Sequence, residues 1–114
     1  MNNAEYTDIA EALYAKIEAI LDHLIEEQQA PLDYENGSGV ITIDCEDTET
    51  KVIISKQQAN QQIWVAAKSG GFHCAYDTNL WRCTKTQETL EELLNRVCSE
   101  QSHQPIVFDG IDGL

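Results

Sequence analysis

Basic side chains are scarce: seven Lys and Arg stand against twenty Asp and Glu in 114 residues, a formal net charge of −13 with histidines neutral. That imbalance repels nucleic acid and anionic lipid, and it attracts cations or basic protein surfaces. An acidic surface also keeps a protein soluble with no further purpose. Nucleic acid and membranes are therefore set aside as partners. No apolar run approaches bilayer-spanning length, and Met1-Asn2-Asn3-Ala4-Glu5 lacks the basic and apolar regions of a signal peptide, so the expected compartment is the cytoplasm. No C-x-x-C pair occurs. Cys45, Cys74, Cys83 and Cys98 are scattered, which is not a zinc spacing and is read first as buried free thiols, with a redox or soft-metal role as the minority reading. Catalytic signatures are missing as well: there is no Gly-rich phosphate loop, no G-x-S-x-G, no H-E-x-x-H, and no histidine beside a plausible nucleophile. The chain is read as a non-enzyme.

What is present is a globular chain long enough for one modest core, so residues 1–114 are expected to form a single domain. Asn2 with Glu5 resembles a capping box opening a helix from Asn3 to about Glu27. Tyr6, Ile9, Ala10, Leu13, Ile17, Ile20, Leu21 and Leu24 give that helix a continuous apolar stripe. The helix ends before Pro31. A short strand is expected at Leu32 to Glu35, and Asn36-Gly37-Ser38-Gly39 is a turn signal. Val40 to Glu46 then alternates, with Ile41, Ile43 and Cys45 on one face. Lys51 to Lys56 returns with Val52 and Ile54 inward, and Leu80 to Cys83 is a last short strand. Thr89 and Glu92 cap a second helix whose apolar face is Leu90, Leu93, Leu94 and Val97. In the tail, 102–114, Ile106-Val107-Phe108 is expected to lie along the helices, and the last few residues to fray. Helix, about six meandering strands, helix: this order predicts an α+β two-layer sandwich, two helices on one face of an antiparallel sheet with the other face open.

The middle of the chain carries the most specific pattern. Ile63 and Val65 alternate with Gln62, Trp64 and Ala66, and Lys68-Ser69-Gly70-Gly71 then reverses the chain. If Ile63 and Val65 face the core, Trp64 faces outward, near His73 across the hairpin and near Ile53 on the preceding strand. A large aromatic on an open sheet face is a candidate binding anchor. The alternative is an indole capped by a loop or helix of its own chain.

Carboxylates form the second candidate surface: Glu11, Glu18 and Asp22 on the first helix, Asp33 and Glu35 on the first strand, and Glu46, Asp47 and Glu49 on the next hairpin. They adjoin only if the helix lies along that edge of the sheet. Carboxylate oxygens are hard ligands for Ca²⁺, Mg²⁺, Mn²⁺ and iron ions. Exposed and without a preformed cage, they would bind weakly and select poorly. The same acidic ridge would steer a basic protein surface toward Trp64.

The run Asn60-Gln61-Gln62-Ile63-Trp64-Val65-Ala66-Ala67-Lys68-Ser69-Gly70-Gly71-Phe72-His73 resembles the signature segment of the frataxin family, and the likeness extends from the acidic first helix to the second. The resemblance implies an iron-binding protein that associates with the cysteine desulfurase of the iron–sulfur cluster assembly machinery and regulates its rate. It adds the iron–sulfur scaffold protein as a further candidate partner. A monomer is expected, with iron-dependent oligomerisation an open alternative. By position, Glu18 and Asp22 match family acidic positions on the first helix, as do Asp33, Glu35 and Glu46 on the first strands. Trp64 matches the exposed signature tryptophan, and the segment from Asn60 through Gln62, Lys68 and Gly70 to Gly71 matches the partner-binding sheet region. Three features depart from the family pattern, one being that Gln58 and Ala59 stand where the family usually has a proline before the signature strand. His23, Leu24, Ile25, Gln28, Gln29 and Ala30 dilute the acidic run, and Cys74 stands where an aromatic is expected. Two other readings compete. One is an acidic, protein-binding inhibitor module with no metal role. The other is a ferroxidase on the same carboxylates, disfavoured because catalytic di-iron sites are built inside helical bundles.

Overall fold

The computed structural model of the chain describes residues 1–112. Helix α1 (Asn3–Glu26) starts at a reciprocal cap. The Asn2 side chain accepts from the Glu5 N–H at 2.8 Å, and the Glu5 carboxylate accepts from the Asn2 N–H at 3.2 Å. Two donors that the first turn would otherwise leave unpaired are thereby satisfied. Tyr6, Ala10, Leu13, Ile17, Leu21 and Leu24 are buried, whereas Ile9 and Ile20 are half-buried. Tyr14 joins them, a residue the apolar stripe omits. Its hydroxyl donates to the carbonyls of Gly39 at 2.7 Å and Ile54 at 3.1 Å, so the ring is buried without leaving an unpaired polar atom.

Six strands follow: β1 (Leu32–Gly37), β2 (Val40–Cys45), β3 (Thr50–Gln57), β4 (Gln62–Ala67), β5 (Gly70–Asp77) and β6 (Leu80–Cys83). They pair in sequence order, each antiparallel to the next. Short turns make this meander possible. Ser38-Gly39 and Thr78-Asn79 have positive φ at both residues, the conformation that matches the twist of a tight hairpin. Helix α2 (Leu90–Ser102) closes the layer, capped by Thr89 and Glu92 in the same reciprocal way as α1.

Alternation decides the two faces. Ile41, Ile43, Cys45, Val52, Ile54, Ile63, Val65, Phe72, Cys74, Trp81 and Cys83 are all buried and form one core with the stripes of both helices. Among the described residues, no element covers the opposite face. The expected two-layer α+β sandwich is therefore the observed one. The tail completes the helical layer: Ile106, Phe108 and Ile111 are buried, while Val107 is 55 % exposed. Its backbone is held by side chains of α2. Ser99 pairs with both backbone groups of Ile106, Asn95 accepts from the Phe108 N–H, and one Glu91 oxygen accepts from Gly110, Ile111 and Asp112. Of the last few residues, expected to fray, Gly110, Ile111 and Asp112 are held by Glu91, and Gly113 and Leu114 lie outside the described residues.

Candidate functional site

Register places the outward side chains in rows. Val40, Ser55, Trp64 and His73 face one another across β2, β3, β4 and β5. The next row is Glu35, Thr42, Ile53, Ala66 and Gly71. Trp64 and His73 stack face to face, with ring centroids 4.3 Å apart and planes 7° apart. The indole N–H donates to the Gln62 side chain at 2.9 Å. Trp64 is thus half-buried by its own neighbours on the open face, and among the described residues it lies under no loop or helix. Beside it, Gly71 adds no bulk: a Cβ built there meets nothing within 4 Å. Val40 belongs to this patch and was missed, although its alternation with Ile41 marks it as outward.

The other residues expected on this surface are spread out. Asn60 ends a 3₁₀ turn before β4, and Lys68 lies in the turn after it. With the six residues of β4 between them at about 3.3 Å each, these two are separated by roughly 20 Å. Gly70 opens β5 with the core-facing parity of Phe72, at a φ of +146° that favours glycine. Gln62, Ile53, Gly71 and His73 are the positions that the sheet gathers around Trp64.

The acidic residues divide into two groups on either flank of the edge strand β1. On the helical flank, the Tyr34 hydroxyl donates to Asp22 at 2.7 Å, which docks α1 along β1. That hydrogen bond is the main reason the Tyr34 hydroxyl is pushed up to about 12, with burial and the charges of Asp22, Glu18 and Glu26 adding to it. Glu11 lies two turns before Glu18 on the same stripe. On the open flank, Asp33 and Glu35 project outward with Asp44, and Glu46 follows at the end of β2. Asp33 sits directly opposite Asp44, a like-charge pair that costs stability. Lys51, opposite Asp44 on the other side, forms an ion pair with it and offsets part of that repulsion. The hydrogen bond to Asp44 raises the Lys51 ammonium, as does the charge of Glu35. Asp47 and Glu49 are exposed in the β2–β3 loop.

Chemically, the donor set is hard oxygen, which fits an iron ion. Geometrically, no group of three or more His, Cys, Asp or Glu side chains among the described residues is arranged to hold a metal. Any ion bound here would rest on pairs such as Glu18 and Asp22 and keep much of its own water. One Glu-x-x-His spacing, Glu100 to His103, escaped the sequence reading. Both residues are exposed at the end of α2, and Glu100 is engaged by Arg96 at 3.2 Å. The four cysteines are free and buried. No helix among the described residues is long and apolar enough to cross a membrane.

Comparison with known proteins agrees with this architecture. A family model described as a frataxin-like domain matches residues 1–104. The iron-sulfur cluster assembly protein CyaY of Pseudomonas aeruginosa is 41 % identical over 113 residues, covering 97 % of this chain and 100 % of that protein. The protein of the same name from Polaromonas sp. is 38 % identical over 109 residues, covering 96 % and 93 %. Among solved structures, a frataxin from Psychromonas ingrahamii superposes with a TM-score of 0.83 at 31 % identity, over 96 % of this chain and 100 % of that one. Yeast frataxin, at 20 % identity and a TM-score of 0.65 over 86 % and 80 %, shares the fold. With its two-layer sandwich, its open face centred on a stacked tryptophan and its family-model match over nearly the whole length, the chain belongs to the frataxin family.

Proposed function

We propose that this protein works in iron–sulfur cluster assembly as a non-enzymatic, iron-binding regulator that docks on the cysteine desulfurase. The observation that carries the reading is the open sheet face: Trp64 stands on it, stacked on His73 and covered by no other element among the described residues. An indole in that setting offers a large rigid contact area, which is what a binding anchor requires. The names of the curated relatives supply the pathway. The net charge of −13 supplies long-range attraction to a basic partner, and the carboxylates of α1 and β1 supply hard oxygen for iron. Iron is cargo here, held loosely, because the carboxylates form no cage among the described residues. The iron–sulfur scaffold protein is a further partner on the same surface.

Binding of the purified desulfurase to the native protein and to Trp64→Ala tests the docking. The variant loses binding at least tenfold while its unfolding stays cooperative. Undiminished affinity removes Trp64 from the interface. Iron is tested by titrating Fe²⁺ into labelled protein and following amide shifts. They are expected along α1, near Glu18 and Asp22, and to shrink in the double variant Glu18→Gln/Asp22→Asn, where the amide oxygen at position 22 still accepts from the Tyr34 hydroxyl. A second reading, an acidic protein-binding module with no metal role, is favoured by the lack of any three-ligand cluster among the described residues. It predicts no localised shift on α1.

A further inference from the structure

Cys74 on β5 and Cys83 on β6 are directly opposed in the antiparallel register. Both are fully buried on the core face. The hydrogen bonds around Cys83 decide which kind of pair they form. Its N–H donates to the Glu88 carbonyl at 2.8 Å and its carbonyl accepts from the Gln87 N–H at 3.0 Å, so both backbone groups turn away from β5. One residue on, the Thr84 N–H donates to the His73 carbonyl at 2.9 Å. The ladder bonds therefore fall on the neighbours, and Cys74–Cys83 is a non-hydrogen-bonded pair. Such pairs bring Cα atoms to about 4.5 Å and their side chains closest together. A disulfide spans Cα separations of about 4.4–6.8 Å, so the backbone is already placed for one.

The two thiols are also unequal. Burial works to raise the Cys83 thiol, but hydrogen bonds from Thr86 and Lys85 outweigh it and hold the thiol below its ordinary value. The Thr86 N–H lies 3.5 Å from its sulfur. Cys74 is pushed up to about 12 by burial, with the charges of Cys83 and Glu88 adding to it. Because the thiolate is the nucleophile, Cys83 is the attacking sulfur and Cys74 the resolving one. Access is through residues 84–88. That segment covers Cys83 on an edge strand, and its Thr84, Lys85, Thr86 and Gln87 are exposed. Local opening of this loop, which breaks the backbone bonds of Cys83 to Gln87 and Glu88, exposes the sulfur.

We infer that Cys74 and Cys83 close to a reversible cross-strand disulfide when the protein meets hydrogen peroxide. The Cys83 thiolate attacks one peroxide oxygen and the O–O bond breaks. Cys83 becomes a sulfenic acid, and the departing hydroxide takes up a proton and leaves as water. Cys74 then gives up its thiol proton and its sulfur attacks the sulfenic sulfur. The S–O bond breaks, and the released hydroxide leaves with that proton as a second water. Two thiols lose two electrons in all, and one peroxide is reduced to two waters. A dithiol reductant reverses the bond by exchange. The cross-link ties the edge strand β6 to β5 immediately next to His73, and so stiffens the strand that carries half of the aromatic stack.

The test is a thiol map of the native protein. It is exposed to hydrogen peroxide, then unfolded, alkylated, and analysed by intact mass and peptide mapping. The expected result is a fall from four free thiols to two, a loss of two hydrogen atoms, and one cross-linked peptide joining Cys74 to Cys83. Dithiothreitol restores all four, and Cys45→Ala/Cys98→Ala yields the same cross-link. Four free thiols after exposure, a Cys45–Cys98 bridge, or Cys83 carried on to sulfinic acid with Cys74 still free would each overturn the inference. The map of the unmodified sequence decides by itself, so a variant that folds poorly cannot obscure the outcome.

Discussion

Replacing each tryptophan in turn by alanine measures how differently the sheet uses its two faces. Trp81 is 5 % exposed and packs edge-on against Tyr6 at 6.2 Å and Tyr76 at 5.1 Å. Its removal leaves a large cavity in a core that cannot fully collapse, at a cost of about 3–5 kcal/mol. Trp64 loses one stacking partner and one half-exposed hydrogen bond. Those contributions together come to about 1–2 kcal/mol. In urea, a chain of this size unfolds with a slope near 2 kcal/mol per molar, so the midpoint should fall by roughly 0.5–1 M for Trp64→Ala and by roughly 2 M for Trp81→Ala. Circular dichroism follows the unfolding. Fluorescence gives an independent check, since each variant leaves one indole: the emission of Trp81→Ala comes from Trp64 and is quenched readily by acrylamide, whereas that of Trp64→Ala is shielded. If Trp64→Ala proves as costly as Trp81→Ala, or the Trp64 indole left in Trp81→Ala is as shielded as that of Trp81, the open face is not open and the docking scheme goes with it.

Two further predictions concern the seams around that face. Gln101 is 6 % exposed, accepts from the Lys68 N–H at 2.8 Å, and donates to Thr50 and to the Lys51 carbonyl at 3.0 Å each. Gln101→Ala leaves the Lys68 and Lys51 backbone groups without that partner and should cost about 2–3 kcal/mol, with faster amide exchange at Lys68; unchanged exchange would show that α2 does not hold the β4–β5 turn. Glu88 receives two hydrogen bonds of 2.9 Å from Arg96, which hold its carboxyl below the ordinary 4.5. A depressed value stabilises the fold above the unfolded value and loses that contribution as pH falls through the folded one. The stability gap between the native protein and Glu88→Gln, about 0.5–1 kcal/mol at pH 7 for a part-exposed pair, should therefore close as pH falls below the ordinary 4.5 and through the lowered folded value in urea titrations. A gap independent of pH would assign it to packing rather than charge.

Much of this protein was legible because its signals are local. Both helices open on reciprocal caps that need only four residues each, and both appear where Asn2–Glu5 and Thr89–Glu92 place them. The inward set of every strand follows from period-two alternation, which a pleated backbone enforces residue by residue. Trp64 could be turned away from Ile63 and Val65 for that reason alone, but that no loop or helix caps it among the described residues took the folded chain. The omission of Tyr14 has an equally physical cause: a tyrosine is apolar or polar according to whether its hydroxyl finds a partner, and its partners, Gly39 in the β1–β2 turn and Ile54 on β3, lie far along the chain.

By itself, then, the order of residues determined the element sequence, the core-facing set, the acidic field and the likeness to the frataxin family. Only the folded chain decided how those parts meet. It set Tyr34 against Asp22, divided the carboxylates between two flanks of β1, stacked His73 on Trp64, and brought Cys74 opposite Cys83. The distinction is one of range. Caps and alternation depend on neighbours a few residues apart. Strand register and helix docking are settled by the whole core closing at once, and a shift of one residue would turn every one of those side chains to the other face.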